Sequence, residues 1–446
     1  MAQLDLAAPT SALDRGGVGE KRRTTAWPLL LLALTIADAS AMRNVFSPLQ
    51  ETAEHALHFS DFQISLIQGV AASIPIALLS IPIGRITDRG NRALLLFGLS
   101  SLWTIGTIFT VLAADFWQLF IARMLAGIGA LCSLTVAISL IADLSTPQTR
   151  GRAMLAISLG NMVGAAAAFA LGGALLGLFS QTSAPTLIAG LAPWRSVHLI
   201  FSGASIVLTL LLLTLREPAR GEIIDKHASL RTALAEIWER RALLAPLFLG
   251  QVTVVMADAA AGIWAAPVLA RNYNQTPEQF AGWMGLVLLG SGVVGAVFGG
   301  FAADFGQRLK LKNGILVGAV IAALLSIPGA LFPVMPSLAG FAWMFALLLT
   351  CGAVTGLITA TAIVVLVPNE IRGVCLGAFI VIGAIIGFGV APTMVTMISD
   401  ALGGPDQLRY GLAATGVATS VLASLGFIAA LARGHDAAAP NPTLSP

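Results

Sequence analysis

Between residues 27 and 432 the chain is a succession of apolar runs separated by short polar loops. About 20 apolar residues carry an α-helix across a bilayer, and runs of that length fall near 27–49, 62–85, 93–113, 116–142, 151–179, 195–215, 243–270, 280–303, 312–334, 338–366, 372–399 and 409–432. Lipid leaves every backbone N–H and C=O to be satisfied within the protein, so such runs fold as helices. The expectation is an all-α integral membrane protein of twelve transmembrane helices. With 57% hydrophobic and only 11% charged residues, against about 25% charged in a soluble domain, the chain cannot close a water-soluble core. The net charge is +3, but the basic residues are scattered between apolar runs rather than gathered on a wetted face, so no nucleic-acid partner is implied. Cys132, Cys351 and Cys375 lie inside apolar runs with no CxxC spacing, which argues against disulfides and thiolate metal sites. The first run follows a polar tail ending Glu20-Lys21-Arg22-Arg23, contains Asp38 and lacks a small-residue cleavage pattern; it reads as a retained span.

Alternate loops, counted from the N-terminal tail, carry 20 of the 25 Lys and Arg, and the intervening loops carry Arg195, Arg271 and Arg409. The positive-inside rule then places both termini in the cytoplasm, in the inner (plasma) membrane. The expected divisions are a tail, 1–26; a six-helix bundle, 27–216; a cytoplasmic linker, 217–242; a second six-helix bundle, 243–433; and a tail, 434–446. Within the linker, LRTALAEIWERRALL has apolar residues at helical spacing and reads either as an amphipathic surface helix or as a solvated connector.

An offset of 216 residues aligns Gln63, Gly69, Gly84, Asp88, Gly90 and Arg92 with Gln279, Gly285, Gly300, Asp304, Gly306 and Arg308. Four of these pairs form one G-x3-D-x-G-x-R signature. Ile36-Ala37-Asp38-Ala39-Ser40-Ala41 is echoed by Met256-Ala257-Asp258-Ala259-Ala260-Ala261, and Arg150-Gly151 by Arg372-Gly373. The chain is therefore a duplication, and two pseudo-symmetric six-helix bundles with a path between them are an architecture of secondary transporters. No G-x4-G-K-[ST] nucleotide loop is present, and no cofactor is implied.

Charges inside spans cost roughly 2.5–3.5 kcal/mol each on insertion scales and by default face the protein interior. There are four: Asp38, Arg43, Arg123 and Asp258. Five residues of helix separate Asp38 from Arg43 by about 140°, so Asp38 is expected to seek a partner on another span. Arg123 is the choice, because Gly127 and Ala130 let a neighbouring helix approach its face. This pair is read as the coupling site for protons and substrate. Asp258, at the repeat-equivalent place, is a second contact, and Arg43 either joins them or snorkels outward. His55 and His58, near Glu51, Glu54 and Asp61, are read as an exposed loop rather than a metal site, and His198 as a residue of the membrane interface.

The loop Gly84-Arg85-Ile86-Thr87-Asp88-Arg89-Gly90-Asn91-Arg92 resembles the signature of the major facilitator superfamily, as do Arg123-Met124-Leu125-Ala126-Gly127-Ile128-Gly129 and Arg150-Gly151. Within that superfamily, Ser60 to Gly69 running on to Pro82-Ile83-Gly84 is similar to spinster-type bacterial carriers. The resemblance implies alternating access and a cytoplasmic gate formed by Gly84, Asp88, Gly90, Arg92, Asp304, Arg308, Arg150 and Arg372, with Asp88 latching near Arg372 and Asp304 near Arg150. The expected function is secondary, proton-coupled transport of a small anionic or amphipathic solute, such as a lysolipid, by a monomer in the lipid bilayer. A facilitative uniporter or a transporter-like receptor is the alternative; a polytopic enzyme would need clustered His, Asp or Glu at one membrane face.

Overall fold

The computed structural model describes residues 26–433 apart from 147, 182–189, 221–234, 236, 310 and 312, and apart from the side chains at 81, 131, 369–373 and 376. The expected tails and residues 221–234 and 236 of the linker lie outside the described residues; in the described part of its amphipathic stretch, 237–239 are helical, exposed Trp238 packs under the Arg241 guanidinium, and Leu243 and Leu244 are buried at the start of the seventh span. Among those described there are twelve helices long and apolar enough to cross a membrane: α1 Ala26–Leu57, α2 Asp61–Ser80, α3 Arg92–Leu112, α4 Phe116–Leu144, α5 Arg150–Phe179, α6 Pro193–Thr214, α7 Arg241–Tyr273, α8 Pro277–Arg308, α9 Gly314–Val334, α10 Leu338–Leu366, α11 Gly377–Ala401 and α12 Pro405–Ala432. The twelve expected runs are all present. The backbone helix of α2 continues to Arg89 and that of α11 begins at Asn369.

Helix starts follow local capping chemistry. Ser60 and Gln63 form a capping box at α2, and their repeat mates Thr276 and Gln279 form the same box at α8, each satisfying two otherwise orphaned N–H groups. Asn91 caps α3 by accepting from the Leu94 N–H at 2.8 Å. Asp115 caps α4 by accepting from the Gln118 N–H at 2.9 Å. Within α1 the helix breaks at Val45, between Ala26–Asn44 and Phe46–Leu57. Pro48 accounts for the break, because its ring lacks an N–H and clashes with the carbonyl four residues earlier.

The helices pack as two groups of six, α1–α6 and α7–α12. Helix contact in lipid is driven by close packing rather than by burial from water, and small residues line the seams between the groups. On one seam α5 meets α8, from Gly177 against Glu278 to Gly292 against Met162. On the other α2 meets α11: the Ser65 and Thr393 hydroxyls lie 3.2 Å apart, and Gly69 packs on the Phe388 carbonyl. Both helices of this second seam carry a π-helical stretch at the crossing, Leu66–Val70 and Gly383–Phe388. The face bearing the loops around Arg85–Arg92 and Arg150–Arg152 is called the basic face below, and its opposite the far face.

Candidate functional site

A cavity of about 450 Å³ lies between the two halves. Arg43, Arg123 and Asp258 all line it, together with Gln68, Phe169 and Phe388. The broken turn of α1 supplies the cation arrangement. Arg123 on α4 donates from Nη1 to the Met42 carbonyl at 3.2 Å and from Nη2 to the Arg43 carbonyl at 2.6 Å, acceptors that the break at Val45 frees. Its guanidinium carbon lies 5.3 Å from the centre of the Phe46 ring, while its Nε is buried without a hydrogen-bond partner. Arg43 turns inward, its guanidinium carbon 5.6 Å from the centre of the Phe388 ring on α11. It therefore lines the cavity instead of snorkelling outward. Across from them, Asp258 on α7 packs directly against Gly352 of α10, where a side chain would collide with the carboxylate. Asp258 Oδ1 is buried and accepts no hydrogen bond. Beside the arginines, Ser47 donates to Gln68 Oε1 at 3.3 Å and Gln68 donates to Gln50. The site thus combines two cations, one carboxylate, amide groups and apolar walls.

The expected ion pair between Asp38 and Arg123 is not formed. Asp38 faces the interior of the first bundle, where its Oδ2 accepts from Trp103 Nε1 at 2.9 Å and from the Ser205 hydroxyl at 2.7 Å. The network continues from Ser205 to Thr104 at 2.7 Å, to Thr209 at 3.2 Å and to Ser100 at 2.6 Å. Two polar side chains, backed by three more from α3 and α6, thus hold a carboxylate that sequence reasoning assigns to an arginine, and the arginine is taken by backbone carbonyls. The two residues remain mechanically connected, since Asp38 and Met42 are one helical turn apart on α1. His198 is also corrected: it is fully buried inside the first bundle, its Nδ1 2.9 Å from the Trp194 carbonyl, not at an interface with the membrane.

On the far face one arginine joins the halves. Arg271, near the end of α7, donates from Nε to Glu51 at 2.7 Å and from Nη2 to Glu54 at 2.9 Å. It also grips Asp61 with two nitrogens, Nη1 to Oδ2 and Nη2 to Oδ1, each at 2.9 Å. The sequence alone does not reveal this cluster: there Arg271 counts only towards topology, and the acids are only neighbours of two histidines. The available signal was three acids within eleven residues at the mouth of the first bundle, with one of the three far-face arginines placed at the mouth of the second. His55 lies 3.4 Å from Glu51 and is 75% exposed, and His58 takes the left-handed cap position of its helix, φ 55°. Among the described residues no group of His, Cys, Asp and Glu has metal-site geometry.

The basic face is arranged differently from the expected gate. Asp88 is exposed, and its loop is held within the first half by Arg220, which donates to the carbonyls of Asp88, Thr87 (3.1 Å) and Gly90 (2.7 Å). Arg92 is buried between Asp143 at 2.5 Å and Glu217 at 2.7 Å, which fastens α3 to the ends of α4 and α6. It is an anchor inside one half, not a contact between halves. Its repeat mate Arg308 is exposed, as are Asp304 and Arg150. Arg150 donates to the Ala142 carbonyl at 3.0 Å instead of meeting Asp304. The Arg372 side chain lies outside the described residues. A side chain added at Gly84 or Gly300 would meet nothing within 4 Å, so neither glycine forms a close crossing here. Asp304 and Arg150 are thus apart on the basic face, while the Arg271 cluster is closed on the far face.

The comparisons agree with this architecture. Residues 31–392 match the family model described as Major Facilitator Superfamily. A protein described as an MFS-type efflux pump from Mycolicibacterium smegmatis is 28% identical over 229 residues, covering 50% of each chain. Protein spinster homolog 1 from Homo sapiens is 27% identical over 283 residues, covering 58% of this chain and 50% of the relative. The chain thus spans about half the length of these curated relatives. The crystal structure of a bacterial homolog of the human lysosomal transporter Spinster, in an inward-facing and unoccupied conformation, superimposes with a TM-score of 0.77 at 26% identity, covering 92% of this chain and 98% of that one. With the match running from α1 into α11, the chain belongs to the Major Facilitator Superfamily of membrane transporters.

Proposed function

We propose that the protein is a secondary carrier that moves an amphipathic organic solute with an anionic headgroup by alternating access. One observation carries this reading: Arg43 and Arg123 share a cavity between the halves with a single carboxylate, Asp258, and with apolar walls. A buried cation without a counter-charge is costly, and an anionic headgroup supplies the missing partner. The buried Arg123 Nε offers it a free donor. Phe169, Ile263, Leu288 and Phe388 suit an apolar tail. The structural likeness to a bacterial homolog of the lysosomal transporter Spinster supports the carrier part of this reading.

Orientation follows the basic-residue bias, with the basic face in the cytoplasm of the inner membrane and the halves 27–216 and 243–433 rocking as bodies in a monomer. The present arrangement, sealed by Arg271 and parted at Asp304 and Arg150, is then the inward-facing state. Proton coupling falls to the two repeat-equivalent carboxylates. Asp258 faces the headgroup site with an unpartnered oxygen. Asp38 lies one turn from the carbonyls held by Arg123, so a proton there would weaken the grip of Trp103 and Ser205 and let α1 shift against α4.

Counterflow and pH-driven uptake of a radiolabelled lysophospholipid in proteoliposomes test this reading. Wild type should show both, Asp258→Asn should keep counterflow and lose pH-driven accumulation, and Arg123→Gln should lose both. Equal transport by all three proteins would defeat it.

A further inference from the structure

The far-face cluster contains three carboxylates around one guanidinium. Arg271 contributes one positive charge, and Glu51, Glu54 and Asp61 contribute up to three negative ones. The Glu54 and Asp61 oxygens share a single nitrogen, Nη2, at 2.9 Å each. Glu54 is only 8% exposed, and its second oxygen, like that of Glu51, is buried without a hydrogen-bond partner. The cluster therefore holds acceptor capacity that Arg271 does not fill. Its members divide unequally: all three acids belong to the first half, the arginine to the second. Opening the far face must carry Arg271 away and leave three apposed carboxylates without a cation.

We infer that this acid triad is a proton-binding site of the open far face, for which Arg271 and protons compete. Removing Arg271, the guanidinium that contacts all three acids, raises the cost of their negative charge, and protons are the ligand that lowers it. Closing reverses the exchange, as the guanidinium re-enters and displaces them. Linkage fixes the sign: the open state binds more protons, so acid on the far side shifts the equilibrium towards opening. Neighbouring charges do not substitute for the proton. His55 on α1 touches Glu51 from an exposed position, and Arg195 at the start of α6 is spent on the carbonyls of Val111 and Ala113. Glu278 on α8 packs against Gly177 of α5, and α5 carries no charged residue at this end. The inference rests on the alternating-access reading. It adds to Asp38 and Asp258 a further proton site that sets when the carrier can face outward.

The native cysteines are all buried, so spin labels at Ala114→Cys, in the loop between α3 and α4, and Asp406→Cys, in the first turn of α12, both exposed at the far face of opposite halves, report the far-face distance in nanodiscs. On titration from about pH 8 to about pH 5, the open-to-closed ratio should rise by up to about tenfold per pH unit for each proton taken up. Glu54→Gln with Asp61→Asn should open the far face at high pH and flatten the response, and Arg271→Lys should keep the response. A distance that lengthens in Arg271→Ala but ignores pH in the otherwise wild-type protein would overturn the proton site alone. A pH response retained by the double amide variant would do the same. A distance that never lengthens, even in Arg271→Ala, would instead contradict alternating access.

Discussion

Gly69 and Gly285 stand 216 residues apart and perform the same task on opposite seams. Gly69 of α2 packs against the Phe388 carbonyl of α11, and a side-chain carbon at Gly285 of α8 would come to 2.7 Å from the Ala166 carbonyl of α5. Each places backbone against backbone where the two halves cross. Since the obstructing atoms are main-chain carbonyls, neither crossing can absorb a side chain by a rotamer change.

Gly285→Val should therefore wedge the α5–α8 seam at a cost of about 1–3 kcal/mol, the range for overpacking, and Gly69→Val should do likewise on the other seam. Both should lower the melting temperature and slow transport. Gly300→Val, at a position with no neighbour within 4 Å, is the control and should melt as wild type. Equal stability of all three variants would contradict the seam assignment.

Trp103→Phe removes the indole N–H from Asp38 while keeping an aromatic ring in the first bundle. An ionised acceptor that loses one of two donors is expected to cost about 1–3 kcal/mol. A melt followed by the reactivity of buried Cys132 should show the loss, with solute affinity within a factor of about 2 of wild type because Trp103 does not line the cavity. A large fall in affinity with an unchanged melt would place Asp38 in the solute site.

Arg92 and Asp88 lie four residues apart but should behave oppositely. Arg92→Gln removes the guanidinium that bridges Asp143 and Glu217 and should destabilise the first bundle by up to about 3–5 kcal/mol, the range for breaking a buried ion pair. Asp88→Asn touches an exposed carboxylate and should leave the melt unchanged while reducing the transport rate, because the opposite conformer loses its latch. Wild-type transport by a well-folded Asp88→Asn protein would remove Asp88 from the gate.

Much of this arrangement was legible in the sequence because it depends on length, hydropathy and repetition. Gln63 and Gln279 announced the duplication, and they cap equivalent helices. The roughly 140° between Asp38 and Arg43 separates the two onto different helix faces, as the structure has them, but the sequence reading takes Asp38 to Arg123 and leaves Arg43 open between the site and the membrane interface. What could not be read depends on backbone acceptors and on docking. Arg123 is held by carbonyls freed at the break in α1, and no side-chain pattern records a freed carbonyl. The partners of Arg271 are 210–220 residues away, and only the docking of two folded halves brings them together. The paired π-helical stretches of α2 and α11 likewise leave no periodic trace.

The central claim is that Arg43 and Arg123 hold an anionic headgroup in the cavity between the halves. Equilibrium binding of an acidic lysophospholipid to purified protein, set against an uncharged monoacylglycerol of the same chain length, tests it most directly. The wild type should prefer the acidic ligand by at least about tenfold, the equivalent of one charge-assisted hydrogen bond of about 1.4 kcal/mol, and Arg123→Gln should erase that preference while keeping weak binding of both. Equal affinity of the wild type for the two ligands, or a preference that survives Arg123→Gln and Arg43→Gln together, would contradict the account.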